Sequence, residues 1–420
     1  MYNELLAQSY YVKLKIFKLM KVSGLDVHKD SIFCAIYDGK KFGEVQEFST
    51  FTECIRTMGD HLKYEGVKKI AIESTGIYWI PVWNILEKMG FDLMLVNPYL
   101  IKQMPGRKSD IKDAQWIAKL LHKGLLRSSL VPDKTIRQLR TYSRSYVRMQ
   151  SMITRVTQEM ERILETSNIR ITSLVSCNNS VSIHRVIEKI IAGEDTVEEL
   201  ACCIHGRIIK SKGALVKLSL DGHIEEHHRF SLSLAYERFK LFTMQLNMLE
   251  GKMEEICEQN YSKQMELLMS IPGIGKQAAM QIVAETSGDM QAFENSGKLT
   301  GWTGLRPRND ESAGKYKSTA TTKGNKYLRR IMVQCAWAAV RTKGSFYKSK
   351  FDQLSIRKSR KKALIAIARK LLTVIWHVLN EREPFNPQFL PVYDPRRMEM
   401  KMKYHRREIE KLEKLGYSIA

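Results

Sequence analysis

Cysteine is scarce and unpaired in this chain of 420 residues: Cys34, Cys54, Cys177, Cys202, Cys203, Cys257 and Cys335 include no Cys-x-x-Cys pair and no regular spacing. That excludes a disulfide framework and a cysteine zinc site, and it fits a reducing, intracellular compartment. An unbroken apolar run is missing too. The longest, residues 363–379, is interrupted by Arg369 and Lys370, and no signal-peptide cleavage pattern opens the chain, so no membrane segment is expected. Acids are the third shortage, 45 Asp and Glu against 68 Lys and Arg, for a formal net charge of +23. Solubility needs far less, and the excess points to a polyanionic partner, nucleic acid first.

What is present reads as three parts. Met20 stands directly before the first strand, and residues 1–19 read as an isolated mixed helix, an extension for which Met20 is an alternative translation start. Residues 20–138 alternate short β-rich runs, "KVSGLDVH", "SIFCAIYD", "KKIAIES" and "FDLMLVN", with helical stretches, the pattern of an α/β sheet covered by helices. Over 139–262 a heptad period takes over. Leu139, Tyr142, Tyr146, Met149, Ile153, Val156, Met160 and Ile163 form one seam, and Leu232, Ala235, Phe239, Phe242, Leu246, Leu249, Met253 and Ile256 a second. The seams suit an antiparallel hairpin within the chain or a coiled coil between subunits. Residues 263–381 read as mainly α and open on "SIPGIGKQAAMQIVAE", a helix-hairpin-helix pattern in which Gly273 and Gly275, followed by Lys276, let backbone N–H groups approach a phosphate. Residues 298–370 hold 20 Lys and Arg against 3 acids, and 382–420 form a charged tail. The apolar helix over 363–379 is expected in the core.

Two strands carry an acid where an apolar residue belongs: Asp26 in "GLDVHKD" and Glu73 at the end of "IAIES". A carboxylate there needs a partner, and no cation is an obvious local one. "KSDIKDAQW" adds Asp110 and Asp113, three residues apart at a helix start and so on one face; favourable interaction with the helix dipole is the plain alternative. Together the four acids suit two hard divalent cations, Mg2+ or Mn2+, about 4 Å apart, the arrangement used in phosphodiester chemistry.

These four acids resemble the D, E, D and D of the RuvC-like, RNase H-like domain in DEDD transposases of the IS one-ten insertion-sequence family. "EHHRF", "SIPGIG", "GWTGLRPRNDESAGK" and "TKGNKYLRR" follow in that family's order and at comparable distances. The resemblance implies a DNA recombinase of the prokaryotic cytoplasm that acts on donor and target DNA under a noncoding bridge RNA. It also implies that a serine, falling here on Ser312, forms a covalent phosphoserine link, and that the serine of one subunit meets the acids of another in a dimer or tetramer. Arg306, Arg308, Lys315 and Lys317 beside that serine, and Lys323, Lys326, Arg329 and Arg330 after it, are expected on nucleic acid. By its own chemistry, a serine in a basic, glycine-containing loop is by default a turn residue or a phosphate ligand. Two departures from the family pattern stand out: Ser312 is followed by Ala313 and Gly314 in place of Gly-Gly, and Ser109 takes the place of Thr between Lys108 and Asp110.

Two other classes stay open, a junction-resolving metal nuclease that needs the acids alone and a nucleic-acid-binding protein without catalysis. "HIEEHH" over 223–228 lacks zincin spacing and reads as a surface helix start, and Trp302 and Tyr327 read as core packing or base-stacking rings.

Overall fold

The computed structural model describes residues 21–74, 76–98, 109–175, 180–308, 310–312, 315–318, 320–387, 406–407, 409–410 and 413, with only the backbone over 310–312 and 315–317. The extension 1–19, Met20, Lys108, Ala313, Gly314 and most of the charged tail lie outside them. Packing divides the chain into two compact units that meet in sequence at Val131 and Pro132.

Unit 1 is built on five strands, β1 (Val22–Val27), β2 (Ser31–Tyr37), β3 (Gln46–Ser49), β4 (Lys69–Glu73) and β5 (Asp92–Val96), in the order β3-β2-β1-β4-β5. β2 is antiparallel to both β1 and β3, while β4 is parallel to β1 and β5. Parallel neighbours need crossovers, and α1 (Thr52–Tyr64) and α2 (Trp79–Lys88) supply them. Strand alternation sorts the apolar residues onto two faces. Ile70 and Ile72 pack with Ile55, Met58 and Leu86 on the α1–α2 side, whereas Ala71 packs with Ala114, Ile117 and Ala118 of α3 (Asp110–His122) on the other. β1 is the central strand and all six of its residues are buried. The helix-covered mixed sheet is the α/β class expected from the sequence.

Unit 2 is mainly helical. Its two longest helices, α4 (Lys134–Thr166) and, after α5 (Val181–Ala192), α6 (Val197–Cys202) and α7 (Gly206–Leu220), α8 (Glu226–Asn260), pack along each other. Arg238 meets Glu159 at 2.9 Å, while Glu250 lies near Tyr146 and Lys252 near Tyr142, so the helices run antiparallel. Every residue of both heptad seams is buried or half-buried. The hairpin reading of those seams is therefore the one realised within the chain. A period names the face to be covered, and here the chain itself covers it.

The remainder contains α9 (Ser262–Met269), α10 (Lys276–Thr286), α11 (Ser296–Trp302), a hairpin of β6 (Asp310–Ser312) and β7 (Lys315–Ser318), then α12 (Lys326–Arg341), α13 (Phe346–Arg357) and α14 (Arg360–Glu381). Residues 139–262 and 263–381, expected as separate parts, fall within this one unit, and α4 begins five residues before the expected boundary. Among the described residues only α14 is long and apolar enough to cross a bilayer, but Leu364, Ile367, Leu371, Leu372 and Ile375 are buried in the unit, as expected of a core helix.

Candidate active site

The acid cluster of unit 1 follows from strand geometry. Leu25 of β1 pairs with Ile72 of β4 in parallel register, so Asp26 and Glu73, each one residue further on, sit side by side at the same sheet edge. α3 brings the other two acids. Ser109 caps it by accepting from the Lys112 backbone N–H, which fixes Asp110 and Asp113 in the first turn. Gly24 sets how close that helix comes: a Cβ there would lie 2.4 Å from the Ala114 carbonyl oxygen and 2.4 Å from the Ala118 nitrogen. Only a residue without a side chain lets α3 rest directly on β1.

Asp26 is 5% exposed. Burial pushes its carboxyl up to about 6; Glu73, Asp110 and Asp113 act in the same direction, and His28 opposes them. His28 Nε2 stands 3.2 Å from Asp26 Oδ2 and 3.6 Å from Asp110 Oδ1. The other three predicted acids thus bear on Asp26 at the end of the central strand, and of them Asp110 brings a carboxylate oxygen within 4.8 Å of it. Their donor chemistry fits a hard divalent cation: clustered carboxylate oxygens, one desolvated, whose mutual repulsion a cation relieves. The sequence reading missed His28 and Gly24. A histidine beside an Asp looks like any turn residue, and nothing local marks a strand glycine as a helix seat.

Unit 2 holds the predicted serine and basic residues. Ser312 ends β6 and pairs with Lys315 across a two-residue connection, with a register shift at Asp310/Glu311. Below the hairpin the two arms stay joined: Pro307 bridges Thr321, the Arg308 N–H donates to the Ala320 carbonyl and the Thr322 N–H to that of Arg306. The arms cross at two glycines. A Cβ on Gly324 would lie 2.4 Å from the Gly304 nitrogen, and Gly304 itself takes φ +76°. Asn325, which caps α12, follows, and its backbone N–H donates to Trp302. The "GWTG" and "TKGN" stretches are thus two sides of one crossing.

Beneath it lies Glu285, 1% exposed. Arg144 binds its two carboxylate oxygens at 2.9 and 3.0 Å, and the Asn325 side-chain amide donates to Oε2 at 2.6 Å. Arg140 donates to the carbonyls of Ala284 and Glu285. An open cavity of ≈ 500 Å3 is lined by Arg144, Trp302, Lys323, Lys326 and Tyr327, among others. The Arg144 guanidinium lies 4.6 Å from the Tyr327 ring centre. Arg306, Arg308, Lys323 and Lys326 are exposed, and Arg329 and Arg330 half-buried, with Arg329 bonded to Thr321.

The glycines of "PGIG" differ in role. Gly273 takes φ +91°, and a Cβ there would lie 2.7 Å from the Cys335 carbonyl oxygen of α12, so helix packing requires it; Gly275 faces open space at the start of α10. Lys276 is exposed but paired with Glu254 and Glu258. His227 and Glu225 form an exposed pair at the start of α8, the surface helix start expected. Trp302 is half-buried, its ring 5.3 Å from that of Phe293.

Residues 265–350 match the model described as the transposase IS116/IS110/IS902 family, and residues 23–169 match the DEDD transposase model of IS110. A protein of Sinorhizobium fredii named as a transposase is 24% identical over 327 residues, 75% of this chain and 74% of that protein. The transposase for insertion sequence element IS1111A of Coxiella burnetii is 28% identical over 32% of this chain and 38% of its own length. For the pilin gene-inverting protein of Moraxella bovis the figures are 28%, 31% and 41%. Among solved structures, the Thermus thermophilus RuvC bound to a Holliday junction substrate aligns with 26% of this chain at 13% identity, with a TM-score of 0.21.

Proposed function

The chain belongs to the IS110 transposase family, and from that premise we propose that it cuts and rejoins DNA through a serine-phosphate intermediate under the guidance of a noncoding RNA. The observation that carries the reading is buried Asp26 at the end of the central strand, with an Asp110 oxygen within 4.8 Å and with Glu73 and Asp113 adding to the negative charge it feels.

Those four acids would hold a divalent cation, Mg2+ in our reading, with Mn2+ as its substitute. Such an ion supplies charge stabilisation at the scissile phosphate and makes a nearby oxygen more acidic. Asp26, fixed on the central strand, and Asp110 and Asp113, fixed by the Ser109 cap, present their oxygens without reorganising.

The Ser312 hydroxyl gives up its proton as its oxygen bonds to phosphorus, while a deoxyribose oxygen leaves phosphorus and takes up a proton. Attack by a hydroxyl of another DNA end on the phosphoserine reverses these steps, forms the new phosphodiester and restores the serine. Support for the serine comes from its place at the end of a hairpin arm flanked by the exposed Arg306 and Arg308. Those arginines, with Lys323 and Lys326, neutralise backbone phosphates, as Lys315 and Lys317 do in our reading. The guide RNA and the pairing of one subunit's serine with another's acids follow the family resemblance. The net charge of +23 supports the first. Exposed Phe230, Leu234, Leu241, Met244 and Met248, a second apolar stripe on α8, support assembly.

The test incubates the purified protein with Mg2+, the element's noncoding RNA and end-labelled cognate DNA, and looks for a protein–DNA adduct that survives denaturation. Wild type should form it, Ser312→Ala and Asp26→Ala should not, and omitting the RNA should abolish it on cognate DNA. Cut strands without adduct, unaffected by Ser312→Ala, would instead identify a metal nuclease.

A further inference from the structure

His28 follows Val27, the last residue of β1, and opens the turn into β2, where its backbone N–H donates to the Ser31 carbonyl at 2.9 Å. The imidazole stands edge-on to Phe33, 6.1 Å between ring centres and 82° between planes. With backbone and ring face both held, Nε2 faces the acids, 3.2 Å from Asp26 and 3.6 Å from Asp110. The three donor atoms all lie within 4.8 Å of one another. On an octahedral ion with bonds of about 2.1 Å, adjacent ligands stand about 3 Å apart and opposite ones about 4.2 Å. The triplet's spacings, 3.2 and 3.6 Å from the imidazole and within 4.8 Å between the carboxylates, lie close to that range with strand and helix as they stand.

We propose that His28 is a nitrogen ligand of the same divalent cation that Asp26 and Asp110 hold, so that the centre is a mixed nitrogen and oxygen site. The proposal rests on the reading of the acid cluster as a metal site and adds to it a ligand outside the four acids. Its chemical consequence is selectivity. Imidazole favours transition ions over Mg2+, which keeps to oxygen donors and water, so the site binds Mn2+ and Co2+ more tightly than an all-carboxylate cluster would.

The experiment uses the full chain, stripped of metal and titrated with Mn2+, with free Mn2+ read by electron paramagnetic resonance and directly bound nitrogen by electron spin-echo modulation. Wild type should show a 14N coupling that changes to the 15N pattern when the protein is made with 15N-histidine. His28→Asn should lose that coupling and bind Mn2+ ~10-fold more weakly, while its Mg2+ affinity changes by less than ~3-fold. A His227→Asn, His228→Asn double variant should keep it, which separates the signal from the group of Glu225, His227 and half-buried His228. Mn2+ binding that Asp26→Asn abolishes, but with no nitrogen coupling in wild type, overturns the proposal and leaves the acid cluster intact; His28 would then only hydrogen-bond Asp26. Absence of any Mn2+ binding sensitive to Asp26→Asn overturns the acid-cluster reading itself, and this proposal with it.

Discussion

Asp26 and Glu285 are both buried acids, 5% and 1% exposed, yet their surroundings are opposite. Glu285 is met by two nitrogens of Arg144 and by the Asn325 amide. Asp26 carries the added negative charge of Glu73, Asp110 and Asp113, opposed among the described residues by His28. A buried acid ringed by donors is architecture: it ties α4, α10 and the start of α12 together. One ringed by further acids is the candidate for a cation, as proposed above.

Breaking the satisfied acid should have the largest effect. Glu285→Ala leaves Arg140 and Arg144 facing each other without their shared partner, and should lower the stability of unit 2 by about 3–5 kcal/mol, read as an earlier urea transition. Gly24→Ala comes next, since its Cβ must push α3 off β1. Overpacking of this kind costs roughly 1–3 kcal/mol, and because α3 carries Asp110 and Asp113, Mn2+ affinity should fall with stability.

Asp26→Asn should have the opposite sign, stabilising the metal-free protein by about 3 kcal/mol at neutral pH while abolishing metal binding. The folded-state pKa of Asp26 is raised from 3.8 to about 6. Wild type therefore has the benefit of a neutral Asp26 in acid and loses it as pH rises through 6. The advantage of the Asn variant should vanish near pH 3.5 and be complete above pH 6, as melting curves across that range would show. The smallest effect is expected for Asn325→Ala, which removes the α12 cap and one bond to Glu285 but leaves Arg144 in place, a loss of about 1–2 kcal/mol.

The acids were legible because a carboxylate breaks an apolar strand pattern in a way that needs explanation. Glu285 was not. In "MQIVAE" it ends a helical run as many surface glutamates do, and its partners lie 141 residues before it and 40 after it. The β6–β7 hairpin was hidden for another reason: Asp, Glu, Ser and Lys are poor strand formers, and the glycine crossing beneath it joins residues that local pattern cannot relate. Gly273 carried a phosphate expectation from its motif, whereas its immediate neighbour in the fold is the α12 backbone.

By itself the sequence determined the periods and the chemistry: the α/β alternation, two heptad seams, a core helix, two out-of-place acids with two more at a helix start, and a strongly basic C-terminal half. Those are properties of single segments, fixed by side-chain polarity and backbone periodicity. Only the tertiary structure decided the partners: that the seams cover each other within one chain, that Gly24 seats the helix bearing two of the acids, that His28 joins them, and that Glu285 is neutralised while Asp26 is not. Pairing, burial and electrostatic environment depend on residues far apart in the chain and are set only when the chain is packed.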